Sequence, residues 1–229
     1  MSPRSRTPSD TPLRRIFLLS PARVDGVRAG YLLATDASFA LARRFQREGL
    51  PLAEAFAFTS GLYFRGKITY AQRFARPEGG ELVRVITSNA GLLDPAARLT
   101  PEGLRAFGEV AIDPAEPRYH EPLRRDAAAL AARLADDGVA ILLGSIASGK
   151  YRDVLLACFG SRLVFPSDFI GRGDMSRGGL LLRAAGDGVE LAYAAVAGAV
   201  LRGQRPPRLA PRPQAAIGAG AKPQQPRRS

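Results

Sequence analysis

The sequence predicts an α/β sandwich of three layers around a mostly parallel, Rossmann-like sheet of about four or five strands. Two observations carry this. Short apolar runs bounded by Gly, Pro or Ser alternate with segments of helical periodicity, the order that builds a parallel sheet covered by helices. The chain of 229 residues is 46% hydrophobic and 24% charged, enough for one sizeable core.

The apolar runs at 16–20, 82–87, 139–143, 162–165 and 190–196 read as strands. Helical patterns lie between them. Segment 37–48 stops at Gly49, and segment 67–76 places Ile68, Ala71 and Phe74 on one face before Pro77. Segment 101–110 opens with Thr100 as N-cap and Pro101 at the first helical position. Segment 122–136 carries Leu123, Ala127, Leu130, Ala131 and Leu134 as a stripe and ends at Gly138, and segment 151–159 follows a glycine loop.

The net charge is +12, but +3 falls in residues 1–15 and +7 in residues 202–229, which leaves +2 for residues 16–201. A single domain over 15–201, flanked by disordered basic tails at 1–14 and 202–229, follows from this. The tails are expected to give at most weak, salt-sensitive contact with nucleic acid. No apolar run approaches the ~20 residues of a membrane span, and the run after Arg14 and Arg15 is too short for a signal peptide. Cys158 and His120 are each alone of their kind, which excludes an internal disulfide and disfavours structural zinc. A cytoplasmic location is expected.

In a parallel sheet ligands sit beyond the carboxyl ends of the strands. That rule selects the segments after each run: Ser20 to Arg23, Thr87 to Asn89, Gly144 to Lys150, and Pro166 to Gly179. Gly144-x4-Gly149-Lys150 resembles an anion cradle, with Gly144, Ser145, Ser148, Gly149 and Lys150 as ligand-binding residues. Tyr151 stands where a P-loop has the magnesium-binding Ser or Thr, which disfavours nucleotide hydrolysis of the P-loop kind. The second segment, Gly171 to Gly179, reads as a glycine loop in which Arg172 and Arg177 clamp the anion and Asp174 serves as polar group or general base. Arg65 and Lys67, next to Tyr63 and Phe64, and Asn89 after the second strand complete the candidate set. No cofactor is required by these residues, and magnesium is admitted only if Asp94, Asp168 and Asp174 converge.

Gly61-Leu-Tyr-Phe-Arg-Gly-Lys-Ile-Thr-Tyr-Ala71, followed by a strand and then Gly91-Leu-Leu-Asp-Pro95, resembles a group of bacterial α/β domains of unknown function. Some of those are associated with nucleotide or modified-base metabolism. The resemblance spans residues 60–95 and implies a nucleotide, nucleoside or nucleobase ligand, without assigning any catalytic residue. Ser20-Pro-Ala-Arg23 departs from the Cys- and Lys-containing segment of those domains. The expected function is binding of a nucleotide-like anion at the carboxyl edge, with glycosidic or phosphoester chemistry on it. A nucleic-acid-associated module and a non-catalytic protein-interaction domain are the alternatives.

Overall fold

The computed structural model describes residues 12–207 and 209. The chain runs β1 (Leu13–Leu19), α1 (Val27–Leu33), α2 (Ala40–Glu48), β2 (Leu50–Pro51), α3 (Leu52–Ser60), α4 (Leu62–Phe74), β3 (Glu81–Ile86), β4 (Leu92–Leu93) and β5 (Arg98–Leu99). It continues through α5 (Pro101–Gly108), α6 (Pro117–Arg133), β6 (Leu134–Leu143), α7 (Gly149–Phe159), β7 (Leu163–Pro166), α8 (Asp174–Asp187) and β8 (Tyr193–Ala195). The main sheet has the order β4-β3-β1-β6-β7-β8, and β2 pairs separately with β5. The four inner strands are parallel, while β4 and β8 close the edges antiparallel.

β1 sits at the centre because it can bury both faces. Ile16, Phe17, Leu18 and Leu19 are all fully buried, the continuous apolar run that a doubly covered parallel strand requires. Its partners are matched in kind, with Phe17 opposite Val83 on one side and Ile141 on the other. From β1 the chain crosses to β3; from β3 it passes back over β1 to reach β6. The winding therefore reverses between β1 and β6, where the loops leaving the two strands part and leave a crevice.

Helices α4 and α8 pack against each other, as do α6 and α7, with the sheet as the middle layer. The α4–α8 contact is close because glycines meet there. A Cβ on Gly178 would lie 2.8 Å from the Leu62 carbonyl oxygen and 2.9 Å from Tyr63 Cα; one on Gly66 would lie 2.6 Å from the Gly178 carbonyl oxygen.

The expected fold class is the observed one, with differences in detail. Residues 174–179, read as a glycine loop, begin α8, because Gly178 is needed for close packing on α4 rather than for a turn. Helices α1 and α3 were not read from the sequence. Leu134, assigned to the preceding helix, starts β6 instead. Its side chain is buried in either arrangement, so periodicity does not discriminate. Leu13 and Arg14, assigned to the tail, belong to β1, and Gly203 and Gln204 lie against Ile170 and Gly171. Arg205, Pro206, Pro207 and Leu209 line a depression with Arg172, Met175 and Ser176, and residues 1–11, 208 and 210–229 of the two tail assignments lie outside the described residues.

Candidate functional site

A cleft of about 460 Å³ opens at the β1–β6 crevice, within the usual size range of small-molecule sites. Ser20 to Asp25 from the loop after β1 form one wall, and Ser145, Lys150 and Tyr151 from the segment after β6 form another. Tyr63 from α4, Asp174 at the start of α8, and an apolar patch of Phe107, Val110 and Ile112 complete it.

The base of the cleft is built around Lys67. This residue is 1% exposed, and its ammonium nitrogen donates to the Ser20 carbonyl oxygen at 2.6 Å and lies 2.8 Å from Ser20 Oγ. The rings of Tyr63 and Phe64 stand 4.6 and 4.9 Å from Nζ. Among the described residues no carboxylate comes within ion-pair distance of it. A buried ammonium without a counter-ion is costly, so the proton is held weakly. Burial pulls Lys67 down to about 7, with Asp174 opposing from a distance.

Ser20 is held from a second side. Tyr151 Oη accepts the Ser145 backbone N–H at 2.8 Å and also neighbours the Ser20 hydroxyl. Gly144 makes this approach feasible: a Cβ there would lie 2.9 Å from both Ser20 Cβ and Tyr151 Oη. Burial pushes the Tyr151 phenol up from its ordinary value. Tyr63 is likewise raised, by burial first, with Arg177 acting in the opposite direction. The Tyr63 hydroxyl is buried, with the Arg177 guanidinium near it.

The sequence-predicted residues divide into two groups. Ser145, Lys150 and Asp174 line the cleft, and Gly144 and Lys67 support it from below. Ser148 is the exposed N-cap residue of α7, and Gly149, its first residue, lies against the Asp153 carboxylate. The loop is largely satisfied internally, since Ser145 Oγ accepts the Ala147 N–H at 3.3 Å and Arg152 donates to the Ile146 carbonyl. It is therefore less open to an anion than its glycine spacing implies.

The other predicted residues are placed elsewhere, which corrects the expected arginine clamp. Arg172 donates to the Asp168 carbonyl oxygen at 2.9 Å and lines a separate depression beside residues 205–207. Arg177 turns inward to the Phe169 carbonyl oxygen, with Asp174 3.4 Å away. Arg65 is exposed on α4 and does not line the cleft. Asn89 Nδ2 donates to the Ala106 carbonyl oxygen at 2.9 Å and ties the loop after β3 to α5. Asp94 pairs with Arg84, away from Asp168 and Asp174. Among the described residues no group of three or more His, Cys, Asp or Glu side chains gathers in metal-binding fashion.

Ser20, Tyr63 and Tyr151 were not singled out in the sequence as chemical groups. A usable signal was present for Lys67: it lies three residues after Phe64 and four before Ala71, on the stripe where a helix carries apolar residues.

The chain is an α/β sandwich with a cleft at its topological switch point. Comparison with protein-family models, with curated proteins and with solved structures finds no match to this chain.

Proposed function

We propose that the cleft takes a small nucleotide-like anion and that the protein is a hydrolase or transferase acting on a bond of that molecule. One observation carries the reading: the cleft stands at the reversal between β1 and β6, and its base holds a hydroxyl and a weakly protonated amine in contact. The apolar patch of Phe107, Val110 and Ile112, with the Tyr63 ring, suits a flat, poorly hydrated group. Lys150 and the N-terminal turn of α7 suit the negative charge. Of the bonds expected from the sequence, a phosphoester loses support, because Arg172 and Arg177 are engaged elsewhere. Asp174, at the cleft wall, remains the candidate general base for glycosidic hydrolysis.

The test is a thermal-shift panel of nucleotides, nucleosides, sugar phosphates and inorganic anions, run on the wild-type chain and on Lys150→Ala. A ligand at 100 times its dissociation constant adds about 2.7 kcal/mol, which moves the midpoint by several degrees. The expected result is a shift with nucleotides that shrinks in Lys150→Ala. No shift from any anionic member removes this ligand class.

A further inference from the structure

We propose that Ser20 is a covalent nucleophile and Lys67 its general base, acting on a carboxylic ester held in the cleft. The inference rests on the reading of this cleft as the reaction site but does not require a nucleotide-like ligand.

The geometry sets two conditions for serine activation, and the pair meets both. Ser20 lines the cleft with 4% of its surface exposed, and its Oγ lies 2.8 Å from Lys67 Nζ, a distance for direct proton transfer. Lys67 is fixed by its bond to the Ser20 carbonyl oxygen, so its free electron pair is available to the hydroxyl of the same residue. Gly144 and Tyr151 restrict Ser20 from the other side.

The charge state selects the electrophile. A phosphate dianion against Lys67 would stabilise the ammonium and remove the base, whereas a neutral carbonyl leaves the amine free. The groups facing Lys67 are Ser20 from the loop after β1 and the Tyr63 and Phe64 rings of its own helix, with Asp174 of α8 acting from farther away. Asp174 favours the ammonium and burial favours the amine, with burial the larger effect.

In the first step Oγ attacks the ester carbonyl carbon as its proton passes to Lys67 Nζ. The carbon–oxygen bond to the alcohol breaks, and Lys67 returns the proton to the departing alkoxide. Water then attacks the acyl-serine as Lys67 takes its proton, the bond between the carbonyl carbon and Oγ breaks, and Lys67 returns that proton to Oγ as the carboxylic acid leaves.

The experiment is labelling of the full chain with a fluorophosphonate. This probe forms an Oγ–P bond, loses fluoride, and is read by intact mass and peptide mapping from pH 5 to 9. The expected result is one adduct on Ser20 whose formation rate rises through about pH 7, none in Ser20→Ala, and a rate at least 100-fold lower in Lys67→Met. The wild-type pH profile tests the base without any variant, which covers a Lys67→Met protein that fails to fold by circular dichroism. No adduct at pH 9, an adduct persisting in Ser20→Ala, or a wild-type rate independent of pH around 7 would each overturn the proposal. Labelling of Ser20 without any nucleotide-induced thermal shift leaves the pair standing and removes the ligand class; the reverse pattern removes the pair alone.

Discussion

Lys67 occupies a position that helix periodicity reserves for an apolar side chain, and its consequences for stability can be measured apart from catalysis. Its folded-state pKa is drawn down to about 7 from an ordinary 10.5. Between those values the unfolded chain holds a proton that the folded chain does not, so this residue makes stability rise with pH through that window. Below about pH 7 both states are protonated and the cost of the buried charge is fully present. The slope it adds is at most about 1.4 kcal/mol per pH unit. Urea unfolding of wild type and Lys67→Met at pH 7, 8, 9 and 10 isolates this contribution, because the other titrating groups are common to both chains. Wild type should gain on the variant as pH rises; a constant difference would mean that Lys67 is charged in the folded protein. Ser20 shows why one residue can be legible in type and not in role. Its place after the first strand follows from the alternation of elements, but its contact with Lys67 joins residues 47 apart. No local pattern encodes that.

At the scale of elements, the pairing of α4 with α8 brings Lys67 and Tyr63 to the same end of the sheet as Asp174. Glycine at 66 and 178 sets that spacing. Gly178→Ala introduces a methyl 2.8–2.9 Å from the backbone of Leu62 and Tyr63, where no side chain can rotate aside. The better helix propensity of alanine offsets about 1 kcal/mol of this, and overpacking costs about 1–3 kcal/mol, so a net loss is expected. Thermal denaturation should show a midpoint lower by several degrees, together with slower labelling of Ser20; an unchanged midpoint would show that the helices separate without cost. The same glycines hid α8 in the sequence, since Gly173, Gly178 and Gly179 read locally as a loop. Helix α3 was hidden differently: Leu52, Ala53, Ala55, Phe56, Ala57 and Phe58 are apolar on every side, which leaves no periodic stripe to detect. The five longest strands were legible because each is a compact apolar run, whereas β2, β4 and β5 are two residues long and arise from tertiary pairing.

The whole molecule separates its charge from its candidate chemistry. Residues 16–201 carry only +2 of the +12, and the cleft itself mixes Arg23 and Lys150 with Asp25 and Asp174. A polynucleotide, which is attracted through many phosphates at once, is therefore expected to draw on residues 1–15 and 202–229. Residues 1–11 and 210–229 together hold +5, and their removal tests whether polynucleotide contact and cleft chemistry are separate. The full chain is expected to bind single-stranded polynucleotide with an affinity that falls steeply between 50 and 200 mM salt, as counterion release requires. The chain lacking both segments should bind at least tenfold more weakly in fluorescence anisotropy, while Ser20 labels at the same rate. Equal binding by the two chains would instead place the nucleic-acid surface on the α/β body. Slower labelling of the shortened chain would tie the ends to the cleft and make the charge separation part of the site.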